Sequence, residues 1–166
     1  MFERLVIGVD PGMASTGLAA VGATGGHPQV TEASTVRTPA GMPEAERVLI
    51  LHRAVVAAIA EHRPEALAIE SVMWGKNTGS AMAVARASGV VMLAAAERGI
   101  PVHEYAPLEV KMAVTGSGVA AKQDVRRALE RLHGLSDVPE QPDAADAVAV
   151  AVCHLQQSRP LREAAT

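Results

Sequence analysis

Arg4-Leu5-Val6-Ile7-Gly8-Val9-Asp10-Pro11-Gly12 decides the fold of this chain. Five apolar or glycine positions in unbroken succession predict a strand buried on both faces, since a strand with one wet face would alternate. Pro11-Gly12 ends it in a turn. Asp10 is thus an acid placed at the end of a central strand. Working outward, Gly17 to Val21 and Thr31 to Arg37 read as two more strands, joined through the turn-rich stretch Gly22 to Pro28. These three are expected to form an antiparallel meander. A helix from about Pro43 to Glu61 follows, with Val48, Leu51, Val55 and Ile59 at helical spacing, and Pro64 closes it. Ala66 to Ile69 forms a short apolar strand that delivers Glu70. After a loop from Ser71 to Thr78 come a long helix to about Arg98 and a strand over 101–105. Three further helices are expected at about Pro107 to Val114, Ala121 to His133 and Asp143 to Gln157. A meander followed by alternating helices and strands implies an α/β domain with a mixed sheet.

The 166 residues, 49% apolar, suffice for one domain with one sizeable core. Residues 1–158 are expected to form that domain, with 159–166 a loose C-terminal tail. Aromatics are 2% of the chain, one each of Phe, Tyr and Trp, so Ala, Val, Leu, Ile and Met must build the interior. The single cysteine, Cys153, lies in an apolar stretch, excludes an internal disulfide framework and fits a reducing compartment as a buried structural thiol. No signal-peptide pattern opens the chain, and no apolar run reads as long enough to cross a bilayer. A soluble, cytoplasmic protein without membrane contact is expected. The net charge of −3 stands against a polyanion partner on the total alone. With four carboxylates reserved for cations, however, the rest of the surface is close to neutral and its positives are clustered.

The acids carry the chemical signal. Asp10 ends the first strand, Glu70 ends the fourth, and Asp143 with Asp146 opens the last helix among the small residues Ala144, Ala145 and Ala147. A spacing of three puts both helical carboxylates on one face, about 5–6 Å apart at Cβ. If that helix crosses the sheet at the carboxyl ends of the first and fourth strands, all four acids meet, and their repulsion requires bound cations. Oxygen ligands without a converging His or Cys set favour Mg²⁺ or Mn²⁺ over zinc. None of the six histidines has ligand spacing. The chemistry implied is two-metal phosphodiester hydrolysis, with ions about 3.5–4 Å apart. Asp10 is placed to bridge both ions, and Glu70 and the Asp143/Asp146 pair to hold one side each. Ordinary readings stay open: Asp10 as a turn former before Pro-Gly, and Asp143 as a helix N-cap. Glu70 has no turn chemistry to account for it.

Several segments, in order, resemble the RuvC Holliday-junction resolvases of bacteria, which have the ribonuclease H-like fold. They are Val9-Asp10-Pro11-Gly12 with Thr16-Gly17, Ala68-Ile69-Glu70-Ser71-Val72, Lys76-Asn77, Glu104-Tyr105, Val110-Lys111 and Pro142-Asp143-Ala144-Ala145-Asp146-Ala147. The matches span nearly the whole chain. The resemblance implies a mixed five-stranded sheet flanked by helices. It implies Asp10, Glu70, Asp143 and Asp146 as catalytic ligands of two Mg²⁺ per subunit, with Mn²⁺ as the alternative. It further implies a homodimer on a four-way DNA junction, nicking two like strands symmetrically to leave ligatable 5′-phosphate and 3′-hydroxyl ends, coupled to the RuvA–RuvB branch-migration complex. Lys111 and Lys122 correspond to basic residues beside the family's active site, Lys122 with a catalytic role. Arg126, Arg127 and Arg131 follow Lys122 on its helix, and Arg126 is expected to track DNA backbone.

The loop Val72-Met73-Trp74-Gly75-Lys76-Asn77 mixes apolar and basic residues as a wedge at a junction centre would, and Met73, Trp74, Lys76 and Asn77 are expected to touch DNA. The family carries Phe where this chain has Met73. Some relatives place His where it has Asp143. Ala81, Ala85, Gly89, Met92 and Ala96 line a narrow face of small residues on the following helix, expected at the dimer interface or against another helix of the same chain. Two other functions fit parts of the pattern: a ribonuclease H-like nuclease on RNA or RNA–DNA hybrid, and a junction-binding module without catalysis. A sugar-kinase-like ATPase would need a second lobe that 166 residues do not supply.

Overall fold

The computed structural model describes residues 1–71 and 78–158. The element order is β1 (Arg4–Asp10), β2 (Ser15–Thr24), β3 (His27–Arg37), α1 (Glu44–His62), β4 (Ala66–Glu70), α2 (Thr78–Ala96), β5 (Val102–Tyr105), α3 (Pro107–Thr115), α4 (Lys122–Arg131) and α5 (Pro142–Gln157). The strands form one sheet in the order β3-β2-β1-β4-β5. β1, β2 and β3 pair antiparallel, while β1, β4 and β5 run parallel. The expected mixed five-stranded sheet is present, and β1 lies in its middle, buried through Val6–Val9.

Both long hairpin strands extend past their sequence boundaries, because the turn narrows to Gly25 and Gly26, both at positive φ. β3 is an edge strand whose exposure alternates only loosely, and an edge tolerates Pro28 where a central strand would not. Helices cover both faces. Leu51, Val55 and Ile59 of α1 and Ala87, Val91, Ala94 and Ala95 of α2 pack on one side with Ile7, Val9, Leu67 and Ile69. On the other side α5 lies against the sheet, and Val110 and Val114 of α3 and Val125 and Leu129 of α4 enclose it with Val6, Ala19, Val21 and Ala68. The helix boundaries move by a few residues from the sequence reading: Arg63, in the left-handed region, caps α1 just before Pro64, and α4 stops at Arg131.

α5 sits unusually close to the sheet. A Cβ built on Gly17 would lie 1.8 Å from the Asp143 carbonyl oxygen, and one on Gly8 would lie 2.0 Å from that of Ala147 and 2.8 Å from the Ala151 nitrogen. Residues 143, 147 and 151 form one ridge of the helix, and the ridge rests on bare backbone of β2 and β1. Any side chain at Gly8 or Gly17 would lift the helix, and with it the acids of its first turn.

One sequence expectation is corrected. The stretch Gly79–Ala96, mean hydropathy 1.4, is long and apolar enough by length and composition to cross a membrane. Runs of small alanines raise its average without any long aliphatic block. Ala87, Val91, Ala94 and Ala95 bury one face completely, and Met82, Ala85, Arg86, Gly89, Leu93 and Ala96 leave the other exposed.

Candidate active site

Four acids come together on the α5 side of the sheet. Side chains alternate across a strand, so Asp10 shares the face of Val6 and Gly8, and Glu70 that of Ala68. In register, Asp10 stands opposite Gly17 and Glu70 beside Tyr105. A further ladder bond from the Ser71 N–H to the Tyr105 carbonyl, 2.8 Å, holds Glu70 at the strand end. The loop after Asp10 is closed on itself: the Thr16 hydroxyl donates to the Gly12 carbonyl at 2.6 Å, and the Gly12 N–H donates to the same hydroxyl at 3.3 Å. Arg47 of α1 donates to Thr38 Oγ1 at 2.8 Å, and the Thr38 hydroxyl donates to the Met13 carbonyl. Asp10 is therefore presented by a rigid turn.

Pro142 occupies the first turn of α5, where its missing N–H is no loss. Asp143 follows it inside the helix. The cap position belongs to Gln141 and carries no side-chain hydrogen bond, so the reading of Asp143 as an N-cap does not hold. Its carboxylate Oδ2 instead accepts a hydrogen bond from the Ser15 hydroxyl. Asp146, one turn on, accepts from Lys122 Nζ at 2.6 Å. Lys122 reaches it from the first residue of α4, whose start is fixed by Asp124 accepting the Ala121 N–H at 3.0 Å.

The electrostatics match the crowding. Burial, then the charges of Glu70, Asp146 and Asp143, push the Asp10 carboxyl up to about 7. Burial and Asp146 also raise Glu70, opposed by Lys122 and Lys111. The hydrogen bond to Asp146 raises Lys122 above the ordinary lysine value. One ammonium in contact and another nearby do not neutralise four carboxylates, and the remainder is a deficit of positive charge lined by hard oxygen donors. This donor set fits divalent cations of the Mg²⁺ and Mn²⁺ type.

Not every expected residue faces the site. Arg126 is engaged within the chain: its guanidinium donates to the Pro139 and Val138 carbonyls at 2.9 and 3.2 Å and to Glu130 at 3.1 Å. It braces the segment leading to α5. Arg127 pairs with Asp124 at 3.6 Å. Met73, Trp74, Lys76 and Asn77 lie outside the described residues. Sequence reasoning missed Ser15, whose partner is far away in the chain, and it missed a group of possible ligands on the opposite face. There Glu32, Glu61 and His62 bring their ligand atoms within 4.8 Å of one another, with His62 Nε2 2.8 Å from Glu32. Cys153 is free and buried as expected, its thiol pushed by burial to about 11. Behind the site the buried imidazole of His154 meets the Tyr105 hydroxyl at 2.7 Å.

A five-stranded mixed sheet in the order β3-β2-β1-β4-β5 with helices on both faces is the ribonuclease H-like fold. The sequence profile described as "Crossover junction endodeoxyribonuclease RuvC" matches residues 6–154. The chain is 44% identical over 148 residues to the crossover junction endodeoxyribonuclease RuvC of Chloroflexus aurantiacus, covering 89% of this chain and 90% of that protein. With that of Pelotomaculum thermopropionicum it is 45% identical over 150 residues, 90% and 92% of the two chains. It superposes on Thermus thermophilus RuvC in complex with Holliday junction substrate with a TM-score of 0.88, at 34% identity, over 95% and 96% of the chains. The chain belongs to the RuvC family of crossover junction endodeoxyribonucleases.

Proposed function

We propose that this enzyme resolves four-way DNA junctions as a homodimer, nicking two like strands at sites built from Asp10, Glu70, Asp143 and Asp146. The observation that carries this reading is the convergence of four carboxylates, with Asp10 pushed to about 7 by burial first and then by the charges of Glu70, Asp146 and Asp143. Such an arrangement is costly unless cations occupy it. Asp10, Glu70, Asp143 and Asp146 would hold two divalent ions, Mg²⁺ or Mn²⁺, which would supply activation of a water and charge compensation at the leaving 3′ oxygen. Asp10, at the centre of the sheet, lies between Glu70 on one side and the α5 acids on the other, which suits it to ligate both. Lys122, hydrogen-bonded to Asp146 and mostly exposed, is placed to turn towards a phosphate, and Lys111 adds positive potential beside Glu70. Met73, Trp74, Lys76 and Asn77 are assigned to the junction centre. Arg126 braces the approach to α5 through the Val138 and Pro139 carbonyls and, with its side chain 39% exposed, is assigned to the DNA backbone as well.

A two-fold dimer suits a two-fold substrate. The exposed α2 face of Ala85, Gly89 and Ala96, with Met82 and Leu93 alongside, supplies an apolar surface for the partner subunit. Ala81 and Met92 sit at its half-buried edges. Work on junctions in the bacterial cytoplasm would follow the RuvA–RuvB branch-migration complex.

Incubation with a mobile synthetic four-way junction, a linear duplex and an RNA–DNA hybrid, each with Mg²⁺, Mn²⁺ or EDTA, tests the reading. Symmetric, ligatable nicks confined to the junction, absent in EDTA and in Asp10→Asn, are expected. Preferential cutting of the hybrid would favour a ribonuclease, and binding without cutting would leave a junction-binding module.

A further inference from the structure

We infer that Ser15 is a positioning residue for the cation site, acting through Asp143; this rests on the reading of Asp143 as a metal ligand. Ser15 begins β2, and the alternation of that strand sends Ser15, Gly17, Ala19 and Val21 to the α5 face, where Ala19 and Val21 join the core around α5. Gly17 lets the Asp143 backbone press onto β2. Two residues earlier, Ser15 meets the side chain of the same aspartate: its hydroxyl donates to Asp143 Oδ2. Backbone and carboxylate of Asp143 are thus both held by one strand, next to Asp10 across the β1–β2 register. Among the described residues Asp143 Oδ1 has no hydrogen bond. One oxygen is fixed and the other is left for a cation.

The hold on Ser15 is itself firm. The Thr38 N–H donates to the Ala14 carbonyl at 3.1 Å, and the Thr38 hydroxyl, backed by Arg47, holds the Met13 carbonyl. A short side chain on a pinned loop can fix the torsions of a carboxylate, and a hydroxyl donor favours its ionised, ligating form. Without the hydrogen bond the Asp143 carboxylate rotates freely and must be ordered by the ion, which weakens binding without touching the reacting atoms.

The test compares Ser15→Ala with the shape-matched pair Ser15→Thr and Ser15→Val, which differ in the hydroxyl alone. Mn²⁺ binding without DNA, followed by electron paramagnetic resonance, is read beside the Mn²⁺ dependence of junction cleavage. Ser15→Ala and Ser15→Val are expected to lose about tenfold or more in Mn²⁺ affinity and to need correspondingly more Mn²⁺ for half-maximal cleavage. Ser15→Thr is expected to stay close to the unaltered protein, and cleavage at saturating Mn²⁺ to recover in all three. Thermal melts in EDTA check that each variant folds. Equal Mn²⁺ affinity for Ser15→Val and Ser15→Thr would overturn the assignment of Ser15. Unchanged Mn²⁺ binding in Asp143→Asn would instead overturn Asp143 as a ligand, and the inference with it.

Discussion

Asp10→Asn separates the electrostatic cost of the candidate site from its chemistry. A carboxyl whose ordinary value is 3.8 is held at about 7, first by burial and then by Glu70, Asp146 and Asp143. Ionising it in place therefore costs about 4 kcal/mol, at 1.36 kcal/mol for each pH unit. Solvent access and the coupling among the four acids reduce the effective figure to about 2 kcal/mol. The sign follows from proton counts: between the two values the folded state binds more protons than the unfolded one, so stability falls as pH rises through that window. The loss is complete above about 7. At pH 8 in EDTA, urea denaturation should find Asp10→Asn about 2 kcal/mol more stable than the unaltered protein. At pH 4 the gap should close to within a few tenths of a kcal/mol. Mg²⁺ should reverse the order at pH 8, since saturation a hundredfold above Kd adds about 2.7 kcal/mol to the protein that binds it. An Asp10→Asn variant no more stable than its parent at pH 8 in EDTA would refute the combined burial and crowding of Asp10.

Replacing Gly17 with Ala puts a methyl group against the backbone of Asp143, which cannot yield without moving α5; a loss of about 3 kcal/mol in denaturant unfolding is expected, and an unchanged midpoint would disprove the close approach. Lys122→Met should lower junction cleavage about 100-fold while gel-shift binding changes little, and equal losses in both would reduce Lys122 to a binding residue. His154 is lowered to about 4 by burial, His103 and Arg4, so the folded state resists a proton that the unfolded state accepts, and stability drains as pH falls from about 6.5 to 4. Substituting Gln there should flatten that acid limb of the unfolding curve, and an identical limb would show that His154 does not cause it. Ala85→Gln on the exposed face of α2 should shift light scattering towards the monomer mass, and an unaltered dimer would move the interface elsewhere.

The legible parts of this molecule are those where one local rule dominates. β1 reads clearly because a central strand must be apolar throughout, and Glu70 reads clearly because an acid closing such a run has no turn chemistry to explain it, whereas Asp10 before Pro-Gly also fits an ordinary turn. The pair on α5 follows from helical period alone. Contacts between distant elements are not written locally. Ser15 in isolation is a polar residue near a turn, and only the seat of α5 on Gly17 brings it to Asp143. Arg126 lies on a helix with other arginines, as a DNA-tracking residue would, yet the carbonyls of Val138 and Pro139 claim it. Glu32 and His62 sit on separate elements, and nothing in their spacing announces that β3 and α1 bring them together. The edge strand β3 extended beyond its expected start because exposed edges tolerate Pro28 and polar residues that a pattern of burial penalises.

The acids arrive on β1, β4 and α5, from opposite ends of the chain, and no two of these elements carry all of them. A nascent or partly unfolded chain can hold the meander, or the α1–β4 unit, without assembling the centre. Cutting competence is thereby tied to the long-range docking of α5 onto β1 and β2, a kind of contact that forms more slowly than local ones. An endodeoxyribonuclease gains from this a safeguard that needs no inhibitor: copies in which α5 has not docked bring no assembled scissors to the DNA.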